Sequence, residues 1–238
     1  MNVVLAFCMT SVVLCMSIAG SARGQDFALD IARVSELLQE SDSLYVTFEV
    51  EVYGGADGSQ LVLIQKASYC KHYQTVLYSL GPVTMFCTEG ASLVINHSAK
   101  TMLLSHIDTR TAPPASPVDQ ISARLDSILG EGVRIEYLGH SEGAKRYRLR
   151  NSEGPIRVAD IVIDSSTSSI KSLRYQYDQS IAGFPMTAAV LFSYPDNPYI
   201  FGSPALKLQH YVTTEGDSAY ISQRFADYEL SCVEDNND

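Results

Sequence analysis

The sequence has no tryptophan and few basic residues. The shortage of basic residues limits the kinds of molecule that the protein can bind. Only 17 Lys and Arg stand against 27 Asp and Glu, which gives a formal net charge of −10. A chain of this charge repels a phosphate backbone and an anionic membrane surface, so the sequence predicts no nucleic-acid partner. Its 238 residues are 46% hydrophobic and 18% charged, a composition typical of one packed globular domain.

The sequence also lacks motifs that identify an enzyme or a metal site in the structural context that such motifs require. The sequence contains no phosphate-cradling glycine loop and no dinucleotide fingerprint. Gly139 to Gly143 has the Gly-x-Ser-x-Gly spacing, but it falls in a turn between two predicted strands and not in the strand-turn-helix context of a nucleophile elbow. Its five histidines are scattered without metal-ligand spacing. Asp160 and Asp164 would lie ~13 Å apart along a strand, which exceeds the roughly 5 to 9.5 Å between glycosidase carboxylates. We predict no catalytic residue, metal or cofactor, and an unrecognised hydrolase is the least favoured hypothesis.

A long apolar run is absent too, because the apolar N-terminal segment is short. It is followed by the small residues of 17–22, as signal peptidase requires, and no Lys or Arg precedes Arg23. A membrane anchor is the alternative, but a spanning helix needs ~20 apolar residues. We predict a signal peptide over 1–22, a periplasmic or secreted mature chain over 23–232 without a transmembrane span, and a disordered acidic tail over 233–238.

Removal of the signal peptide would leave three cysteines, which allow one disulfide and one free thiol. Cys70 and Cys87 fall on neighbouring predicted strands. A hairpin centred on 80–81 would set Cys87 opposite Gln74, however, an offset of ~13 Å that a disulfide does not bridge. A bulge would repair the offset and form Cys70–Cys87, Cys232 is an equally good partner, and three buried thiols are the third alternative.

Most of the remaining chain repeats apolar residues with the period of two that is typical of β-strands. Two helices interrupt this pattern: an amphipathic helix over 26–40, and a second helix over 118–129 after the proline-rich connector 108–117. The loop 194–204 is interpreted as a ligand-facing lid or as a packed Ω-loop. The predicted strands are 44–53, 60–66, 69–78, 83–87, 93–95, 100–107, 133–138, 145–150, 156–164, 170–178, 186–194 and 219–230.

This order of elements resembles the family of periplasmic lipoprotein carriers. The resemblance lies in the strand 44–53, in Leu93-Val94-Ile95-Asn96 followed by 100–104, and in 161–164 leading to 170–173. It implies a mainly β (α+β) fold, in which a curved antiparallel sheet forms an incomplete β-barrel and two helices cover the open concave side. It also implies a hydrophobic cavity for acyl chains.

The resulting hypothesis is an exported, non-enzymatic carrier or binding protein for lipid or acyl-chain ligands in the cell envelope. Its predicted partners are a hydrophobic ligand or lipoprotein acyl chains, and also envelope proteins. The alternative is a structural or protein-binding envelope module whose β core is filled. The residues predicted to line the cavity are Val46, Phe48, Val50, Val52, Leu93, Ile95 and Leu103.

Overall fold

A computed structural model describes residues 22–55, 58–106, 133–152, 155–179, 183–215 and 218–233. The signal peptide up to residue 21, the second predicted helix over 118–129 and the tail from 234 lie outside these residues. Within them the chain forms one long helix, α1 (Ala22–Glu40), and fourteen strands. The strands are β1 (Ser43–Gly54), β2 (Gln60–His72), β3 (Thr75–Leu80), β4 (Val83–Thr88), β5 (Ala91–Asn96), β6 (Thr101–His106), β7 (Val133–Ser141), β8 (Ala144–Asn151), β9 (Ile156–Asp164), β10 (Ile170–Tyr177), β11 (Thr187–Ser193), β12 (Val212–Glu215), β13 (Ser218–Ile221) and β14 (Glu229–Val233).

Twelve of these strands form one sheet in the order β14-β6-β5-β4-β3-β2-β1-β11-β10-β9-β8-β7. The predicted mainly β fold with a sheet that does not close is therefore confirmed. The single predicted strand over 219–230 is wrong, because β12 and β13 form a separate hairpin and β14 begins only at Glu229. β14 pairs with β6 in parallel, whereas an antiparallel sheet was predicted.

The chain divides into two compact units. The meander unit combines most of β1 and β2 with β3–β6 and the chain from 190 onward, and the helix unit combines α1 with 53–60, β7–β10 and the first part of β11. The prediction of a single domain over 23–232 stays a prediction.

One face of the meander unit is filled by the C-terminal part of the chain. Short 3-10 helices at Pro198–Gly202, Pro204–Leu206 and Leu208–His210 replace the predicted loop and lead to β12. The Phe86 and Tyr211 rings lie 5.7 Å apart by their centroids, and Tyr211 lies 5.5 Å from Phe225. Alternate residues of β4–β6 point to opposite faces, and one of the two apolar sets lies on this face. The buried cluster comprises Phe86, Ala91, Leu93, Ile95, Met102, Leu104, Tyr211, Val212 and Phe225.

In the helix unit, α1 packs on β7 and contacts β8 through side chains. The predicted apolar stripe of α1 is confirmed, since Phe27 and Val34 are buried and Ile31 and Leu38 are half-buried. The Phe27 ring meets the Tyr147 ring edge to face at 4.9 Å. The second predicted covering helix is not among the described residues, so only one helix of the two is confirmed.

The predicted strand 69–78 is interrupted by a turn that carries none of the usual turn residues. Tyr73 has a φ of 51° and connects β2 to β3. Gly, Asn and Asp adopt this conformation much more readily than Tyr, so sequence patterns did not indicate a turn here. As a result, β3 lies between the strands of Cys70 and Cys87.

This extra strand explains why the Cys70–Cys87 disulfide does not form. Cys70 pairs with Leu77 and Leu77 with Phe86, so roughly 10 Å separates the strands of the two cysteines. The three described cysteines are free; Cys70 and Cys87 are buried and Cys232 is exposed. Burial raises the pKa of Cys70 to about 11 and also raises the pKa of Cys87. Both buried thiols are therefore protonated and unreactive at neutral pH.

Candidate functional site: the apolar face of the meander

A row of apolar side chains crosses the meander unit on the face opposite the filled core. Tyr69 pairs with Tyr78, Tyr78 with Met85, Met85 with Val94, and Val94 with Leu103. Paired residues point to the same side of a sheet, so these five side chains form one line over five strands, ~19 Å from end to end. We call the four accessible members, Tyr78, Met85, Val94 and Leu103, the meander face.

The meander face is accessible although its residues are apolar. Tyr78, Met85 and Val94 are half-buried, and Leu103 retains 42% of its exposure. Burial raises the pKa of Tyr78, so its hydroxyl stays neutral. The meander face is thus a contiguous, partly accessible apolar surface.

Aromatic rings of β1 and β11 extend this surface. The Phe48 ring stacks on Tyr78 with centroids 6.2 Å apart, and Phe192 lies 5.8 Å from Phe48. Phe48 and Phe192 are themselves half-buried. The surface thus has an aromatic end at Phe48 and an aliphatic end at Leu103.

Paired neighbours widen the meander face on both sides of the row. The half-buried Val76 lies on one side, where it pairs with the buried Cys87, and the half-buried Leu80 and Val83 pair on the other. Beyond them the same rows continue with small polar residues on β5 and β6, because Cys87 pairs with Ser92 and Val83 with Asn96. The middle of the surface is therefore apolar, and polar groups lie toward its margins.

The seven predicted cavity-lining residues do not share one face. Phe48 and Leu103 belong to the surface just described, and strand alternation places the buried Val46 and the half-buried Val50 and Val52 with Phe48. Leu93 and Ile95 have no exposed surface and lie in the filled core. Val94, which follows Leu93 in the chain, is accessible instead. Tyr78, Met85 and Phe192 were not predicted, because sequence alone did not fix which face of the meander is filled.

A chain of hydrogen-bonded side chains on the filled face places a hydroxyl beside a histidine. Thr84 Oγ1 lies 3.1 Å from Ser79 Oγ and 3.1 Å from His97 Nε2, and His97 Nδ1 lies 2.9 Å from the Tyr228 hydroxyl. Thr84 is only 8% exposed, and the third member is a phenol rather than a carboxylate. This chain ties β4 to the C-terminal segment and places no nucleophile where a substrate would meet it.

The buried carboxylate of the helix unit is also structural in its geometry. Asp30 on α1 accepts a 2.6 Å hydrogen bond from the Tyr147 hydroxyl and contacts Lys145 Nζ at 2.9 Å with both oxygens. Burial, and then the bond to Asp30, raise the pKa of Tyr147 well above its ordinary value. The phenol therefore stays protonated and donates a hydrogen bond to the carboxylate. This bond joins α1 to β8.

Within the described ranges, no three His, Cys, Asp or Glu side chains lie close enough to hold a metal ion. No helix in the described part of the chain has both the length and the apolar character needed to cross a bilayer.

Comparison with known proteins yields structural similarities at very low sequence identity. No model of a known protein family matches the chain, and no curated protein matches its sequence. An uncharacterized conserved protein from Thermus thermophilus is 10% identical with a TM-score of 0.42, and the alignment covers 87% of this chain and 99% of that one.

Two further solved structures are similar over somewhat less of the chain. A DUF1329 family protein from Desulfovibrio piger is 10% identical with a TM-score of 0.31, over 75% of this chain and 98% of that one. A putative outer membrane lipoprotein-sorting protein domain from Vibrio parahaemolyticus is 6% identical with a TM-score of 0.28, over 73% and 93%. Similarities this weak assign the chain to no family.

Proposed function

We propose that this protein is an exported, non-enzymatic binding protein for a hydrophobic ligand with a long acyl chain, which lies along the meander face. The supporting observation is the unbroken apolar row from Tyr78 to Leu103, which stays accessible while the other face of the same strands is filled. A row ~14 Å long matches an extended, flexible chain better than a compact ligand.

The energy available at this surface is sufficient for useful affinity. Full burial of a large apolar side chain contributes ~1.5 to 3 kcal/mol, so four half-buried side chains retain about 3 to 6 kcal/mol. The ligand's own apolar surface adds to this, and micromolar binding requires about 8 kcal/mol. Met85 lies at the centre of the row, and a flexible, polarizable side chain there suits ligands of varied shape.

The second candidate function, a protein-binding envelope module, uses the same surface differently. The filled core behind the meander face is what that hypothesis predicts for the interior. A partner protein would then cover the apolar row instead of a lipid. Saturable binding of one fatty acid per chain distinguishes the two, because a surface shaped for a protein does not hold a single acyl chain tightly.

Val94→Glu is expected to weaken the binding of a fluorescent fatty acid at least tenfold. The substitution places a carboxylate at the centre of the row, where covering it with an acyl chain would desolvate the charge. Titration of the probe against the purified full chain, followed by fluorescence, measures the affinity.

Val62→Glu is the matched control for this titration. Val62 is 63% exposed in β2 and lies outside the meander face, so the same charge there should leave the affinity within about twofold. Circular dichroism confirms that both variants are folded. Absence of saturable binding to the wild type, or equal losses in the two variants, would contradict the proposed function.

A further inference from the structure

The helix unit concentrates arginines on one face of an acidic protein. Opposite the face that α1 covers, Arg134 pairs with Arg150 across β7 and β8, and Arg148 pairs with Asp160, which pairs with Arg174. Arg146 lies on the same face of β8, two residues before Arg148. We call these five side chains the arginine face.

The arginine face has a net positive charge that the sequence composition conceals. Five of the eleven arginines of the chain lie on this face of β7 to β10. Their paired neighbours on the same face include two carboxylates, Glu136 and Asp160. The local net charge is thus +3 on a chain of −10. At the margin, Asp164 and Lys171 pair with one another and add no net charge.

Two of the arginines have partners and three do not. Arg148 forms a bidentate pair with Asp160, with N–O distances of 2.6 and 2.9 Å, and Arg150 lies 3.9 Å from Glu136. Among the described residues, Arg134, Arg146 and Arg174 have no acidic partner, and all three are exposed. Their charges are therefore available to another molecule.

We infer that the arginine face docks the protein on an anionic phospholipid surface. Guanidinium groups bind phosphate oxygens with two parallel hydrogen bonds, and each basic residue near an anionic bilayer adds to the attraction. The five arginines are spread over the three strands β7, β8 and β10, so they fit a lateral array of phosphates better than one small anion. The acidic remainder of the chain is repelled by the same surface, which orients the arginine face toward it.

This inference goes beyond the proposed ligand and rests on different residues. The meander face belongs to the meander unit and the arginine face to the helix unit. A bilayer is the natural source of an acyl-chain ligand, but docking requires only the charges. Loss of docking and loss of ligand binding can therefore be measured separately on the same variants.

The test is flotation of the full chain with vesicles of phosphatidylcholine alone or with phosphatidylglycerol added. The wild type is expected to float with the anionic vesicles and not with the neutral ones. R146E/R174E should bind the anionic vesicles at least tenfold more weakly, while its affinity for the fluorescent fatty acid stays within twofold. R146Q/R174Q removes the charges without reversing them and should give an intermediate loss of vesicle binding. Because this change is milder, it shows that the loss does not come from misfolding.

The matched control is K66E/K207E, which changes the net charge equally, from −10 to −14, at exposed lysines of the meander unit. It should keep vesicle binding within about threefold of the wild type. The inference is overturned if the wild type does not prefer anionic vesicles, or if both double variants lose binding equally. It is also overturned if glycerol phosphate at the same phosphate concentration releases the protein, since that result indicates a small-anion site.

Discussion

Asp30→Ala is expected to lower the free energy of unfolding by about 2 to 4 kcal/mol, because hydrogen bonds to a charged group stabilise by ~1.5 to 3 kcal/mol and the Lys145 side chain, 30% exposed, remains hydrated. Tyr147 is only 1% exposed, and the alanine would leave its hydroxyl without an acceptor. Lys145 Nζ would lose its counter-ion. Urea denaturation followed by circular dichroism measures the change.

Glu36→Ala is the matched control, since Glu36 is an exposed carboxylate on the same helix. It should cost less than about 0.5 kcal/mol, as surface substitutions usually do. Tyr147→Phe should fall between the two, at about 1 to 2 kcal/mol, because it removes one hydrogen bond and keeps the ring against Phe27. If Asp30→Ala proved as mild as Glu36→Ala, the carboxylate would not be the link between α1 and β8.

Leu93→Ala is expected to cost about 2 to 5 kcal/mol, whereas Leu103→Ala should cost less than about 1 kcal/mol. The two leucines lie on adjacent strands but on opposite faces, Leu93 fully buried in the filled core and Leu103 42% exposed on the meander face. Urea denaturation measures the free energy of unfolding of both variants. The comparison is direct because both substitutions make the same chemical change, Leu to Ala.

The same pair of variants separates stability from ligand binding. Leu103→Ala should weaken fatty-acid binding several-fold while leaving the protein stable, because only its covering by ligand is lost. Equal destabilisation by the two substitutions would mean that both faces of β5 and β6 are packed. The meander face would then be part of a second core and not a binding surface.

Strand periodicity predicted much of this architecture because local patterns and burial agree. β1, β4 and β9 begin and end within about one residue of their predicted bounds, and the stripe on α1 is buried as expected. In these elements the alternation or the helical spacing alone determines which side faces the interior. The open, mainly β sheet followed from these elements.

The faces of the meander could not be predicted, because both are apolar. In β5, Leu93 and Val94 are adjacent and similar, and only the C-terminal segment determines which of them is buried. That segment packs from more than 100 residues away, and its 3-10 helices have no strong sequence signal. The turn at Tyr73 was missed for a local reason, since its residues are ordinary strand formers.

The alternating arginines of β8 were visible in the sequence as an exposed strand face, but their charge concentration was not. It depends on β7 and β10 adding Arg134 and Arg174 to the same face through strand pairing. Net charge alone therefore predicted repulsion from anionic membranes, whereas the arrangement of the charges provides one attractive face.

The most direct test of the ligand surface is methionine-methyl NMR of the full chain with a spin-labelled stearate. Met85 lies on the meander face and Met102, 1% exposed, lies in the core behind it, so the molecule carries its own control. We expect stoichiometric stearate to broaden the Met85 methyl signal much more strongly than that of Met102. An unaffected Met85 signal, with broadening elsewhere or nowhere, would contradict the account.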